Sequence, residues 1–181
     1  MKNEIKIVIG SWGSYNECNE RALGSKWLTL SEYSEWDEIE KELKQEGFEL
    51  DGIDEELFIQ DIEGIEDRSV NWDYVNPQKL FELLKEAEVL YDDYKNEKMC
   101  AFLEIESFNE FERRVKEYGS NWDDDITLYQ NMDYYDLAYE FLHECYEIPD
   151  YLENYIDYNK FGNDLYYDGY REYSNGIIKI N

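Results

Sequence analysis

Between Lys116 and Lys160 the chain contains no lysine or arginine, yet twelve aspartates and glutamates fall in that stretch. Ordinary helical surfaces interleave lysine with their acids, because like charges three or four residues apart repel by a few tenths of a kcal/mol per pair. The imbalance extends through the whole molecule, with 45 acids against 17 bases and a formal net charge of −28. By segment the net charge is −11 for residues 1–65, −6 for 66–120 and −11 for 121–181, so no single acidic tail carries it. Chains this acidic are often disordered, since they bury too little apolar surface to offset chain entropy. Here 43% of residues are hydrophobic and 17% aromatic, including 18 tyrosines and five tryptophans, which is enough to build a core. The sequence predicts a folded chain that tolerates its own repulsion. Solubility alone is met by a net charge of about 2–8, so the excess points to charge as the functional product.

Apolar spacing predicts an α+β protein. Residues 5–9 read as a strand ending at Gly10, followed by a loop over 11–24 and a strand near 26–30. Ser34 is expected to cap a helix with Trp36, Ile39 and Leu43 on its inner face, ending by Gly47. Residues 57–62 read as a third strand. In the middle, Asn76-Pro77 starts a helix carrying Leu80, Leu84, Ala87 and Tyr91. Ser107 and Glu110 form a capping-box pattern ahead of Phe108, Phe111, Val115 and Tyr118. The last third predicts a strand at 126–130 and a helix from Asp133 burying Tyr134, Leu137, Phe141 and Cys145. A helix opened by Pro149 should turn Leu152, Tyr155 and Ile156 inward, and a hairpin should turn at Asn175-Gly176. The expected organisation is three small domains: α+β over 1–66, a helical bundle over 67–120, and α+β over 121–181. Their boundaries are soft near 64–70 and 119–125.

The acids fall in helical register. Glu35, Glu38, Glu42 and Glu46 step by 3, 4 and 4, as do Asp133, Asp136, Glu140 and Glu144, while Asp150, Glu153 and Asp157 step by 3 and 4. Such spacing places like charges on one helix face. The candidate acidic surface adds Asp54, Glu55, Glu56, Asp92, Asp93, Asp123, Asp124, Asp125, Asp164 and Asp168. Duplex DNA carries one charge per ~1.7 Å, so 28 charges match about 48 Å of duplex. A compact chain of this length has a diameter of ~40 Å. Its net charge is therefore of the order that imitation of a duplex requires, and an elongated body would serve better than a sphere. The plain alternative is a solvated acidic surface with no such role.

Other chemistry finds little support. An EF-hand needs alternating oxygen ligands and a closing Glu. Residues 164–175 place Tyr166 at a ligand position and Asn175 at the close, and Asp123-Asp124-Asp125 lacks the spacing. His143 is the sole histidine, and no nucleophile elbow, P-loop or Rossmann glycine pattern occurs. The expectation is no enzyme, no metal and no cofactor. Cys18, Cys100 and Cys145 have no CxxC spacing and read as small buried hydrophobes in a reducing compartment. With no signal peptide and no apolar span, the chain reads as cytoplasmic, repelled by nucleic acid and by anionic membranes.

Several stretches carry a resemblance to a known family. Tyr15-Asn16-Glu17, Gly24, Trp27-Leu28 and the strand Phe58-Ile59-Gln60-Asp61-Ile62-Glu63 look like the first domain of the ArdA antirestriction proteins. Tyr135-Asp136-Leu137-Ala138, Pro149, Leu152-Glu153-Asn154-Tyr155-Ile156-Asp157-Tyr158, Phe161-Gly162-Asn163-Asp164-Leu165 and Asn175-Gly176-Ile177 resemble the last. The resemblance implies a DNA mimic that occupies the groove of type I restriction-modification enzymes, at the methyltransferase and specificity core, protecting mobile DNA. It also implies a homodimer joined through the C-terminal domain. Residues 133–148 align with the segment tied to dimer contact, casting Asp133, Tyr134, Leu137, Phe141 and His143 as interface. The alternative is an acidic protein inhibiting another DNA-binding protein, such as a CRISPR nuclease or a histone-like protein.

Overall fold

The computed structural model describes residues 4–67 and 70–181. The fold is mixed α+β, 51% helix and 16% strand. It divides into two compact units, Met1–Trp122 and Asp123–Asn181. The expected boundary zone at 64–70 contains residues 68 and 69, which lie outside the described residues.

In the first unit, β1 (Lys6–Ser11) is central and runs antiparallel to both neighbours, β2 (Leu28–Thr29) and β3 (Leu57–Glu63). Ile7, Val8, Ile9, Gly10 and Ser11 are all buried, so this strand shows an unbroken apolar run rather than alternation. The register shifts between Val8 and Ile9, whose partners are Asp61 and Ile59, and Gln60 is left as the extra residue of a bulge.

Where a loop is expected after β1, the chain instead forms α1 (Trp12–Glu17) and a 3₁₀ turn at Glu20–Leu23. The Ser and Asn content that reads as loop is cap chemistry. Ser11 Oγ accepts the Ser14 N–H at 3.2 Å, and Asn19 Oδ1 accepts the Arg21 N–H at 2.9 Å. Helix α2 (Trp36–Gln45) buries Trp36, Ile39 and Leu43 as expected. Its cap is Glu35, one residue beyond Ser34. The Glu38 carboxylate reaches back to the N–H groups of Ser34 (2.7 Å) and Glu35 (3.4 Å).

Asn76 caps α3 (Pro77–Glu86), accepting the Lys79 N–H at 3.0 Å. The helix stops at Glu86 and Glu88 turns left-handed at φ 61°, so Tyr91 lies beyond it and exposed rather than on its apolar stripe. Asp92 then caps α4 (Asp93–Ile105), which buries Met99, Ala101, Phe102 and Leu103. Ser107 caps α5 (Phe108–Tyr118), accepting the Glu110 N–H at 3.3 Å, but the expected box is only half made because the Glu110 carboxylate turns to Arg113. Phe108, Phe111 and Val115 are buried while Tyr118 is exposed. Trp122 closes this packing. Its ring meets Phe102 and Phe111 edge-on, and its indole N–H donates to the Ala87 carbonyl at 3.1 Å.

In the second unit, β6 (Gly176–Ile180) lies between β4 (Ile126–Gln130) and β5 (Tyr170–Tyr173), all antiparallel. Helices α6 (Tyr134–Cys145) and α8 (Tyr158–Tyr167) join the sheet around Leu137, Ala138, Tyr158, Leu165 and Ile177. Gly162 permits the close approach of these helices, since a Cβ there would sit 2.6 Å from the Tyr134 carbonyl oxygen. The hairpin turns one residue earlier than expected, at Ser174-Asn175, and Gly176 already pairs with Tyr173 as the first residue of β6. Gly176 has φ +144°, and a Cβ on it would meet the Tyr129 carbonyl oxygen at 2.1 Å.

The helix expected after Pro149 is one turn long, α7 (Asp150–Glu153). Asp157 does not continue it but caps α8, accepting the Lys160 N–H at 3.0 Å. Leu152 and Tyr155 are therefore exposed, and only Ile156 packs against the core. Two cysteines also depart from expectation. Cys18, at the left-handed end of α1, and Cys145, ending α6, are exposed, and Cys100 is half-buried.

Candidate functional site

The acidic residues separate into those the fold uses and those it leaves facing solvent. Asp54 is fully buried, so it is removed from the candidate surface. Its carboxylate accepts the Ser14 hydroxyl, the Glu49 N–H at 2.8 Å and the Arg21 guanidinium at 3.0 Å. Burial pushes this carboxyl up, but those donors outweigh burial and hold its pKa below the ordinary value. Asp123 is removed likewise, being 5% exposed beneath the start of β4.

The α2 stripe is not a bare row of carboxylates. Glu42 takes Lys26 and the Tyr33 hydroxyl, which together lower its pKa, the lysine bond contributing most. Burial, and then the Glu42 bond, push the Tyr33 phenol upward. Glu46 accepts the Lys26 N–H at 3.0 Å, and Glu35 pairs with Lys85 at 2.6 Å. Glu35 and Glu46 are the caps of α2 rather than members of its face. The middle of the chain behaves the same way. On α5, Arg113 bridges Glu110 and Glu117, each at 2.6 Å, and Lys116 meets Glu112 at 2.7 Å. Asp92, exposed, is held below its ordinary pKa first by the Lys95 N–H it caps. Glu55, Glu56 and Asp93 are exposed.

The second unit differs. It holds 14 acids and three bases, a net charge of −11. Among its described residues none of the three bases forms an ion pair with a carboxylate. Arg171 donates to the carbonyls of Tyr166 and Tyr170 and lies over the Tyr166 ring at 4.7 Å. Lys179 donates to the Asp168 carbonyl and lies over the Tyr170 ring at 4.8 Å. Exposed carboxylates here include Asp124, Glu140, Glu144, Asp150, Asp157, Asp164 and Asp168, with Asp125 and Glu153 half-buried. Asp133 and Asp136 exchange reciprocal bonds with the first turn of α6. The third expected stripe is broken, because α7 ends before Asp157.

Of the expected interface residues, Leu137 is corrected to core at 2% exposure. Tyr134 is half-buried and donates its hydroxyl to the Tyr170 carbonyl at 3.0 Å. Phe141 is half-buried against Phe161, and Asp133 is exposed. His143 packs against Tyr139 with the rings tilted by 38°, and its Nε2 lies 3.1 Å from the Tyr158 hydroxyl and 3.7 Å from Glu153. Among the described residues no cluster of His, Cys, Asp or Glu could hold a metal ion. Residues 164–175 run through the end of α8 into β5, not through a metal-binding loop. Sequence spacing did not reveal the neutralising roles of Arg21, Lys26 and Lys85, which meet acids 33, 16 and 50 residues away.

Fold and surface together define a mixed α+β protein whose carboxylates greatly outnumber its cations, most sharply in the second unit. The model of the ArdA antirestriction protein family matches residues 7–179, and the chain belongs to that family. This is a family of inhibitors, and membership carries antirestriction function and interaction with restriction enzymes. No curated protein matches the sequence. Among the described residues no helix is long and apolar enough to cross a membrane.

Proposed function

We propose that the protein inhibits type I restriction-modification enzymes by imitating B-form DNA in their DNA-binding groove. The observation that carries this reading is the second unit, where 14 acids stand against three bases, two of which, Arg171 and Lys179, are turned to carbonyls and rings. A groove lined by Lys and Arg to neutralise phosphates accepts fixed carboxylates in their place, releasing the ions held on both surfaces. The carboxylates are pre-ordered, whereas DNA must be deformed at an energetic cost. Phosphate-like contacts position without reading sequence, so inhibition extends across enzymes of different target sequence. The chain acts in the cytoplasm as a homodimer, joined by the exposed parts of α6 around Tyr134, Phe141 and His143. It binds neither nucleic acid nor membrane and catalyses nothing.

The test is the salt dependence of inhibition. Potency against a type I enzyme should fall by roughly tenfold or more between 50 and 200 mM salt, the behaviour of contacts made by ion release. Inhibition that is flat across that range refutes the mechanism.

A further inference from the structure

One feature of the second unit is not explained by charge alone. A cleft of about 510 Å³, within the size range of small-ligand sites, opens where α6 faces the α7–α8 link. Its walls include Tyr135, Tyr139, Tyr155 and Tyr158, with the carboxylates of Glu153 and Asp157, and no lysine or arginine lines it. The Tyr135 and Tyr139 rings stand against Tyr158 at 5.5 and 5.3 Å between centroids, inclined at 66° and 50°. Tyr158 is 6% exposed and tied to His143, which fixes the floor. Tyr155 is 84% exposed, an aromatic ring left in solvent on the rim.

Two of the three cations of the same unit indicate what such rings accept. Arg171 and Lys179 each sit over a tyrosine face at less than 5 Å. A ring face attracts a cation through its quadrupole, more strongly where water is partly excluded. The cleft offers other tyrosine rings together with two carboxylates, in a unit of net charge −11, and no lysine or arginine lines it.

We propose that this cleft receives one arginine side chain of the inhibited enzyme, its guanidinium plane against the tyrosine rings and its N–H groups toward Glu153 and Asp157. Arginine fits better than lysine because its flat, weakly hydrated head stacks on rings and forks to carboxylates. Asp157 uses one oxygen on the Lys160 N–H of the α8 cap and keeps the other for a ligand. The inference rests on the groove-binding function for the identity of the partner. It adds to that reading an anchor that DNA itself cannot provide.

The probe is N-acetyl-arginine amide added to the intact protein, followed by the tyrosine ring resonances in NMR, with N-acetyl-lysine amide and sodium chloride as controls. The expected result is saturable shifts of Tyr135, Tyr139 and Tyr155, at least threefold tighter for arginine than for lysine. Tyr167, exposed outside the cleft, should stay unmoved. Glu153→Gln and Tyr155→Ala should each weaken the probe at least threefold, and both alter side chains that are not core, so folding is retained. Shifts no larger than sodium chloride produces, or equal for the two amino acids, overturn the proposal. Silence caused by a second copy covering the cleft overturns it as well. A wild-type chain that takes the probe but fails to compete with DNA for the enzyme defeats the groove reading instead. One that competes but ignores the probe defeats only the cleft.

Discussion

Asp54→Asn should unfold the first unit at a markedly lower urea concentration, although the acid lies in an irregular segment. The aspartate is fully buried, and each of its oxygens is committed. One accepts the Ser14 hydroxyl, and the other accepts the Glu49 N–H at 2.8 Å and Arg21 Nε at 3.0 Å. Ser14 cannot easily reverse its role, since its oxygen already accepts from Asn19 at 3.0 Å and from Arg21 at 3.3 Å. Whichever way an asparagine is turned, its NH₂ meets groups that are already donors. Breaking a buried pair typically costs about 3–5 kcal/mol. The Arg21 side chain is 23% exposed and water can partly recover it, which brings the expectation to roughly 2–4 kcal/mol. With a urea slope of roughly 2 kcal/mol/M, the midpoint should fall by ~1–2 M. All five tryptophans lie in this unit, so their fluorescence reports its unfolding alone. The folded pKa of Asp54 lies below its ordinary 3.8. Its contribution is therefore complete above that value and is lost as pH falls through the folded pKa. The gap between wild type and variant should stay constant from pH 7 to about 5 and close below pH 3.8. A midpoint shift under about 0.3 M at pH 7 would refute the reasoning.

Four further outcomes are expected. Glu140→Lys with Glu144→Lys, on exposed carboxylates of α6, should weaken inhibition at low salt by roughly tenfold. Glu42→Gln, whose charge Lys26 already meets, should leave potency within about twofold, and equal effects of the two changes would contradict the division drawn between the units. Gly176→Ala should destabilise the second unit by roughly 2 kcal/mol or more, because a Cβ would meet the Tyr129 oxygen at 2.1 Å; faster hydrogen exchange at Ile177 and Ile178 measures it, and unchanged exchange opposes it. Phe141→Asp should turn a sedimenting dimer into a monomer, whereas an unaltered mass for that variant removes this part of α6 from the interface.

What could be read in the sequence is what short-range periodicity encodes. Trp36, Ile39 and Leu43 return every helical turn and Asn76-Pro77 carries its own backbone geometry, so α2 and α3 are legible, while Asn175-Gly176 marks the last hairpin but misses its turn by one residue. The acidic stripes were legible only as spacing. Whether Glu42 faces water or an ammonium depends on how β2 approaches α2, and no local pattern records that Lys26 arrives there. The same limit explains Asp157. Steps of three and four imply one helix face only if the helix continues, and a capping aspartate ended that continuity. Asp54 was misplaced because an acid in a turn-rich stretch reads as solvated until its hydrogen-bond partners assemble around it.

Direct displacement bears most closely on the whole account. A purified type I methyltransferase core is loaded with fluorescent target duplex at low salt, and the protein is titrated in while anisotropy is followed. The duplex should be released in full, with one protein dimer excluding one DNA site and with similar potency for cores of different target sequence. A stable ternary complex, in which enzyme holds both duplex and protein, would mean that the carboxylates do not occupy the place of the phosphates.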